Sequence, residues 1–133
     1  MRRVVLDTNV LISALLFRGS LFCLVDFWKT GRIKPYFSAA TFSEFSKVLH
    51  YPKFALTEEE IAIILRDEIF PFFEVVDVPC DVLRLCQDPD DDMFIACALA
   101  AGAEAIVMGD AGLHLMGEKS PVKIMTASEL IEN

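Results

Sequence analysis

The stretch "VVLDTNVLISAL" (residues 4–15) decides how the chain is read. Val4 to Leu6 are an apolar run of strand character, Asp7 ends it, and from Asn9 the apolar residues resume with the length and recurrence of a helix. A strand that runs through an aspartate into a helix leaves Asp7 two roles. It is either the helix N-cap, where aspartate is worth about 1 kcal/mol, or a carboxylate delivered to the carboxyl end of a strand for chemistry.

The same alternation continues downstream. "FRGS" (17–20) breaks the first helix, and "LFCLVDFWKTG" (21–31) reads as a second helix closed by Gly31. "IKPYFS" (33–38) suits a short strand, after which Ser38 caps the helix "AATFSEFSKVLHY" that Pro52 stops. "TEEE" (57–60) is a capping box opening the helix "EIAIILRDEIF". "FFEVVDV" (72–78) is β-rich, and "CDVLRLC" (80–86) suits either element. In "DPDDDMFIACALAAGA" (88–103) Asp88 is the cap of a helix, Pro89 its first position and Gly102 its end. "EAIVMGD" (104–110) is a strand, and "VKIMTASELIEN" (122–133) is a strand followed by a capped helix. Strands alternating with helices argue for an α/β domain whose parallel central sheet is covered on both faces. With 133 residues, no repeat and no linker, residues 1–133 form a single domain, with "GEKS" (117–120) as a surface loop.

Composition narrows the function. Hydrophobic residues make up 54% and charged residues 24%, enough apolar side chain for an ordered core. Eleven Phe in so small a domain point to some apolar surface buried against a partner. The Leu21, Leu24, Val25, Phe27 and Trp28 stretch reads as core, with an interface as its alternative because its apolar residues exceed one helical face. Twelve Lys and Arg against twenty Asp and Glu leave a net charge of −8, which argues against a protein that merely coats nucleic acid. An enzyme that meets phosphates through a metal ion stays open. Asp7 interrupts the N-terminal run before a signal-peptide core forms, and no apolar stretch reaches the roughly 18 residues of a membrane span. A soluble, cytoplasmic protein without a membrane partner is expected. Cys23, Cys80, Cys86 and Cys97 show no C-x-x-C pairing and read as free buried thiols, while His50 and His114 read as structural.

The acids carry the chemical argument. Ligands of open parallel sheets bind at the carboxyl ends of the strands, and Asp7 and Asp110 each follow a strand there. Glu44 sits at the border of a helix's buried face, and Asp91 and Asp92 open another helix. Each has a structural alternative: Asp7 as a cap, Glu44 in a capping box with Thr41 or as a solvated charge, Asp90 to Asp92 as favourable first-turn charges, Asp110 as a turn residue. Met93 and Leu99, where a calcium loop needs glycine and glutamate, exclude an EF-hand, and no phosphate-loop pattern occurs. Converging carboxylates repel by about 4 kcal/mol per close pair at an effective dielectric of about 20. A divalent cation relieves this, and hard oxygen ligands select Mg2+ or Mn2+. The chemistry natural to such a site is phosphodiester hydrolysis, in which metal ions lower the pKa of the attacking water and clamp the attacking and leaving oxygens.

Three stretches, "VVLDTNVLISAL", "FSAATFSEFSKVL" with "YPKF", and "DPDDDMFIACALAAGAEAIVMGD", occur in an order that resembles the PIN-domain nucleases, and among them the VapC-like toxins of prokaryotic toxin–antitoxin pairs. The resemblance implies a Rossmann-like three-layer α/β/α PIN domain with a magnesium- or manganese-dependent endoribonuclease site. It places the four family acids on Asp7, Glu44, Asp91 and Asp110, with Asp92 competing with Asp91, and Asn9 holding Asp7 in position. Asp7, Asp91 or Asp92, and Asp110 are then the metal ligands, and Glu44 orients or deprotonates the attacking water. An RNA substrate, a small antitoxin partner and a homodimer follow from the same likeness. Arg18 and Lys53 read as solvated charges, with phosphate contact as the alternative. Two departures stand out: Met108 where the family commonly has Thr or Ser, and Gly112 where a further acid often stands. They keep open a degenerate, non-catalytic binding module, and a nuclease for structured DNA is the other alternative.

Overall fold

The computed structural model describes residues 2–17, 19–79, 89–109 and 121–132, with residues 89–92 described as backbone only. Strand β1 (Arg2–Leu6) leads into helix α1 (Thr8–Leu16). A 3-10 turn (Ser20–Phe22) opens α2 (Cys23–Lys29), and β2 (Ile33–Phe37) leads into α3 (Ala39–Leu49). A second 3-10 turn (Pro52–Phe54) precedes α4 (Glu58–Ile64) and the short β3 (Glu74–Val75). Helix α5 (Pro89–Ala101), β4 (Ala105–Met108), β5 (Lys123–Thr126) and α6 (Ala127–Glu132) complete the described chain.

All strand pairs are parallel and the sheet order is β3-β2-β1-β4-β5, so the N-terminal strand lies in the middle. Pro35 is accommodated in β2 because β3 pairs only with Tyr36 and Phe37, leaving the outer side of Pro35 without a strand partner. Alternation along each strand sorts side chains between two cores. Val4, Leu6, Ala105 and Val107 pack with helices α1 to α4 and α6, whereas Val5, Ile106 and Met108 pack with Cys97, Ala98 and Ala101 of α5. The result is the three-layer α/β/α arrangement expected from the sequence.

Several local expectations hold in detail. Ser38 caps α3 with Thr41 as its reciprocal partner, and Thr57 caps α4 with Glu60. Gly102 ends α5 at φ +63°, the left-handed conformation that costs a side-chain-bearing residue about 1–2 kcal/mol. Cys97 is a free buried thiol whose pKa burial pushes up, so it is inert at neutral pH. Cys23 is free and half-buried; Cys80, Cys86, His114, "CDVLRLC" and "GEKS" lie outside the described residues.

Two expectations are corrected. The continuous helix over 21–31 is a 3-10 turn followed by α2, and α4 widens at its end into a π-turn over Leu65–Ile69, one of whose carbonyls, Glu68 O, accepts from Trp28 Nε1 at 2.9 Å. The β-rich stretch 72–78 contributes only two strand residues. Leu24, Val25, Phe27 and Trp28 are buried in the core, the reading preferred for that stretch, and this accounts for its excess of apolar residues. The phenylalanines have the same explanation in part: the Phe37 ring stacks on Phe73 at 4.8 Å and Phe45 at 5.6 Å, with Phe42 edge-on at 5.3 Å.

His50 caps the end of α3 and is structural. Its pKa lies above the usual histidine value, first because Nδ1 donates to the Ser46 carbonyl at 2.6 Å and then because Glu58 lies 3.2 Å from Nε2. The protonated ring therefore supports the fold below the usual histidine range, and that support is lost as pH rises through the elevated value. Proton NMR titration should show Glu58→Gln lowering the His50 midpoint while leaving part of the elevation; an unchanged midpoint would exclude the ion pair.

Candidate functional site

The register of the sheet decides which residues meet. Leu6 is paired with Val107, and the Asp7 N–H donates to the Val107 carbonyl at 3.0 Å, so β1 and β4 end side by side. Gly109 follows β4 at the edge at which Asp7 stands. Strand β2, on the other side of β1, ends there too and passes through Ser38 into the helix that carries Glu44.

The two readings of Asp7 prove compatible. Its backbone is extended, its carboxylate accepts the Val10 N–H at 2.8 Å, and it is the N-cap of α1. The same side chain lines a cavity of about 360 Å³ with Thr8, Asn9 and Glu44. Met93 and Phe94 of α5 close the cavity, directly after the Asp90–Asp92 segment, and Lys47 stands one turn beyond Glu44. Thus Asp7 and Glu44 are brought together, and the N-terminal turn of α5 borders the same space. The side chains of Asp91 and Asp92, and the whole of Asp110 and Gly112, lie outside the described residues.

Asp7 is only 9% exposed. Burial, the dominant effect, raises its pKa, while backbone hydrogen bonds from Val10 and Asn9 pull the other way. Among the described residues no Lys, Arg or His pairs with it. Beside it the Thr8 hydroxyl, in a residue 8% exposed, has no hydrogen-bond partner among the described residues. A buried oxygen left unpartnered costs about 1–3 kcal/mol. An under-neutralised Asp7 carboxylate sharing a cavity with Glu44 offers the hard oxygen donors that suit a hydrated Mg2+ or Mn2+. Among the described residues no three His, Cys, Asp or Glu side chains converge on one point, so Asp7 and Glu44 alone would leave the coordination incomplete.

Glu44 takes no part in a capping box, because Thr41 is engaged with Ser38. Asn9 assists Asp7 through its main-chain N–H, while its exposed side chain stands on the rim. Met108 is buried in the core against α5, so its thioether supplies no hydroxyl to the cavity. Two cavity residues were not singled out in the sequence. Lys47 was findable from its i,i+3 spacing to Glu44, whereas the unpartnered state of Thr8 depends on packing that no local pattern encodes.

A parallel α/β/α sheet with a ligand-sized cavity at the carboxyl end of its central strand has its site where open α/β domains bind ligands. Residues 3–112 match the family model of the PIN domain, and the chain belongs to that family. PIN domains are generally nucleases that use divalent metals, although some are non-catalytic. The fold is similar to that of FitAcB from Neisseria gonorrhoeae, with a TM-score of 0.65, 16% identity, and coverage of 94% of this chain and 98% of that one. It is also similar to VapBC2 from Rickettsia felis bound to a DNA fragment from their promoter, with a TM-score of 0.63, 14% identity, and coverage of 93% and 98%. A third similar structure is FitAB bound to an IR36 DNA fragment, with a TM-score of 0.61, 16% identity, and coverage of 93% and 94%. No curated protein matches the sequence.

The double role of Asp7 gives a stability prediction. A raised carboxyl pKa favours the fold below the ordinary aspartate range, and that contribution is lost as pH rises through the raised value. Asparagine caps a helix as well as aspartate does. Asp7→Asn should therefore raise the thermal midpoint of the metal-free protein at neutral pH, and Asp7→Ala, which also loses the cap, should fall below Asp7→Asn by about 1 kcal/mol. An Asp7→Asn protein less stable than wild type would contradict the reading of Asp7 as an under-neutralised charge.

Proposed function

We propose that this chain is a metal-dependent endoribonuclease, the toxin member of a cytoplasmic toxin–antitoxin pair. The observation that carries the proposal is the buried Asp7 carboxylate without a cationic partner among the described residues, sharing a cavity with Glu44. Membership of a family of nucleases supports the reaction class. The likeness to the FitAB and VapBC2 complexes supports the toxin role and an antitoxin partner, and a homodimer is part of the same reading.

In this account Asp7, Asp110 and either Asp91 or Asp92 hold Mg2+ or Mn2+. The bound ion supplies Lewis acidity toward phosphodiester oxygens and the positive charge that an acidic chain lacks. Asp7 is fixed for this task by the Val10 N–H, so no side-chain rotation is needed on binding. Glu44 orients the attacking water and accepts its proton. Lys47, on the same wall, offers a donor to a phosphate oxygen of the substrate.

The non-catalytic reading has one observation in its favour, the buried thioether of Met108 where a hydroxyl is common in the family. The Asp7 carboxylate, kept without a cationic partner among the described residues on a cavity shared with Glu44, weighs against that reading.

Single-stranded RNA and DNA of the same sequence should be compared with Mn2+, Mg2+ and EDTA. RNA cleavage that needs the metal is expected, lost in Asp7→Asn and reduced at least about 100-fold in Glu44→Gln. Cleavage retained by Asp7→Asn would refute the assignment, and preferential cutting of DNA would replace the substrate. Light scattering at micromolar concentration should give a dimer mass.

A further inference from the structure

Beside the acidic cavity lies a second, larger one of about 580 Å³ that the hydrolytic reading does not use. The two share Asn9, two residues from Asp7, so a ligand spanning them crosses only the rim. The second cavity has an apolar wall of Ile12, Leu16 and Leu56, and its volume falls within the roughly 300–1,000 Å³ of small-ligand sites.

Its mouth is aromatic and cationic. Phe17, just past the end of α1, is 53% exposed, and its described ring partner is Phe54, edge-on at 6.3 Å. Lys53 holds its ammonium 5.2 Å from the centre of the Phe54 ring and has no carboxylate partner among the described residues. Both rings are anchored through the backbone. The Phe17 N–H donates to Ser13 O at 3.3 Å, and Phe54 belongs to a 3-10 turn whose Phe54 N–H donates to Tyr51 O at 3.1 Å. A chain of net charge −8 that keeps a cation without a carboxylate partner beside an exposed Phe17 and a half-buried Phe54, on a cavity adjoining an acidic one, is suited to a planar, anionic ligand.

We infer that Phe17, Phe54 and Lys53 form a stacking subsite for an unpaired RNA nucleotide next to the scissile phosphate. The inference rests on the ribonuclease reading and narrows its substrate to single-stranded or looped RNA. The base stacks on the exposed face of Phe17, with the Phe54 ring edge-on beside it at 61°, and the adjoining phosphate meets Lys53. A base held in a duplex has no face free for the rings, so paired RNA is excluded.

The test separates the subsite from the chemistry. Fluorescence anisotropy of a labelled single-stranded RNA, with an RNA duplex beside it, is measured in an Asp7→Asn background, where cleavage is lost by design. Adding Phe17→Ala should weaken single-strand binding about tenfold without altering its salt dependence. Adding Lys53→Ala should reduce the slope of log affinity against log salt by about 0.7. Circular dichroism checks that each variant is folded; Phe17 and Lys53 are both exposed. Unchanged affinity in the Phe17 variant, equal binding of duplex, or no measurable single-strand binding would overturn the subsite and leave the cavity to a protein segment. Cleavage by the wild-type chain, read separately, reports on the ribonuclease reading alone.

Discussion

At Asp7 a negative charge is held at the exit of the central strand, nine-tenths out of solvent and without a cation beside it among the described residues. Burial makes that charge costly, and only part of the cost is offset by the two backbone N–H groups that make Asp7 the cap of α1. The rest of the structure keeps the carboxylate where it is. Strands β2 and β4 flank β1 in parallel, Val107 O receives the Asp7 N–H, and Leu11 N–H donates to the Asp7 carbonyl at 3.1 Å. Moving Asp7 would mean unpairing the centre of the sheet.

That rigidity links the fold to the function. Each of β1 and β2 ends at one edge and feeds a helix whose start is set by a side-chain cap, Asp7 for α1 and Ser38 for α3. Capping fixes the phase of α3, and with it the position of Glu44 in its second turn, on the wall opposite Asp7. A carboxylate that the fold strains to keep charged is a ready ligand for a divalent ion. Lys47, which lines the same cavity, adds a cation suited to a phosphate oxygen.

Most of the fold was legible because its signals are local. Apolar runs interrupted by Asp7, Ser38 and Thr57 mark strand ends and helix starts, and Gly31 and Gly102 mark two stops, both at positive φ. What escaped was set by tertiary packing. Helix α2 carries more apolar residues than one stripe because Val25 and Phe27 flank the Leu24–Trp28 stripe on its two sides, and the fold buries all four. The π-turn after α4 has no sequence marker, since one of its carbonyls is partnered by a tryptophan 40 residues earlier. For the site, position predicted the meeting of Asp7 and Glu44, but neither the lone hydroxyl of Thr8 nor the pairing of Phe17 with Phe54 could be read from spacing.

The central claim is that the Asp7 carboxylate is completed by a divalent cation, and isothermal titration of Mn2+ into wild type and Asp7→Asn tests it most directly. The account predicts saturable binding by wild type and its loss in the variant, with matching circular dichroism spectra. Equal binding by the two folded proteins, or none by wild type, would contradict it.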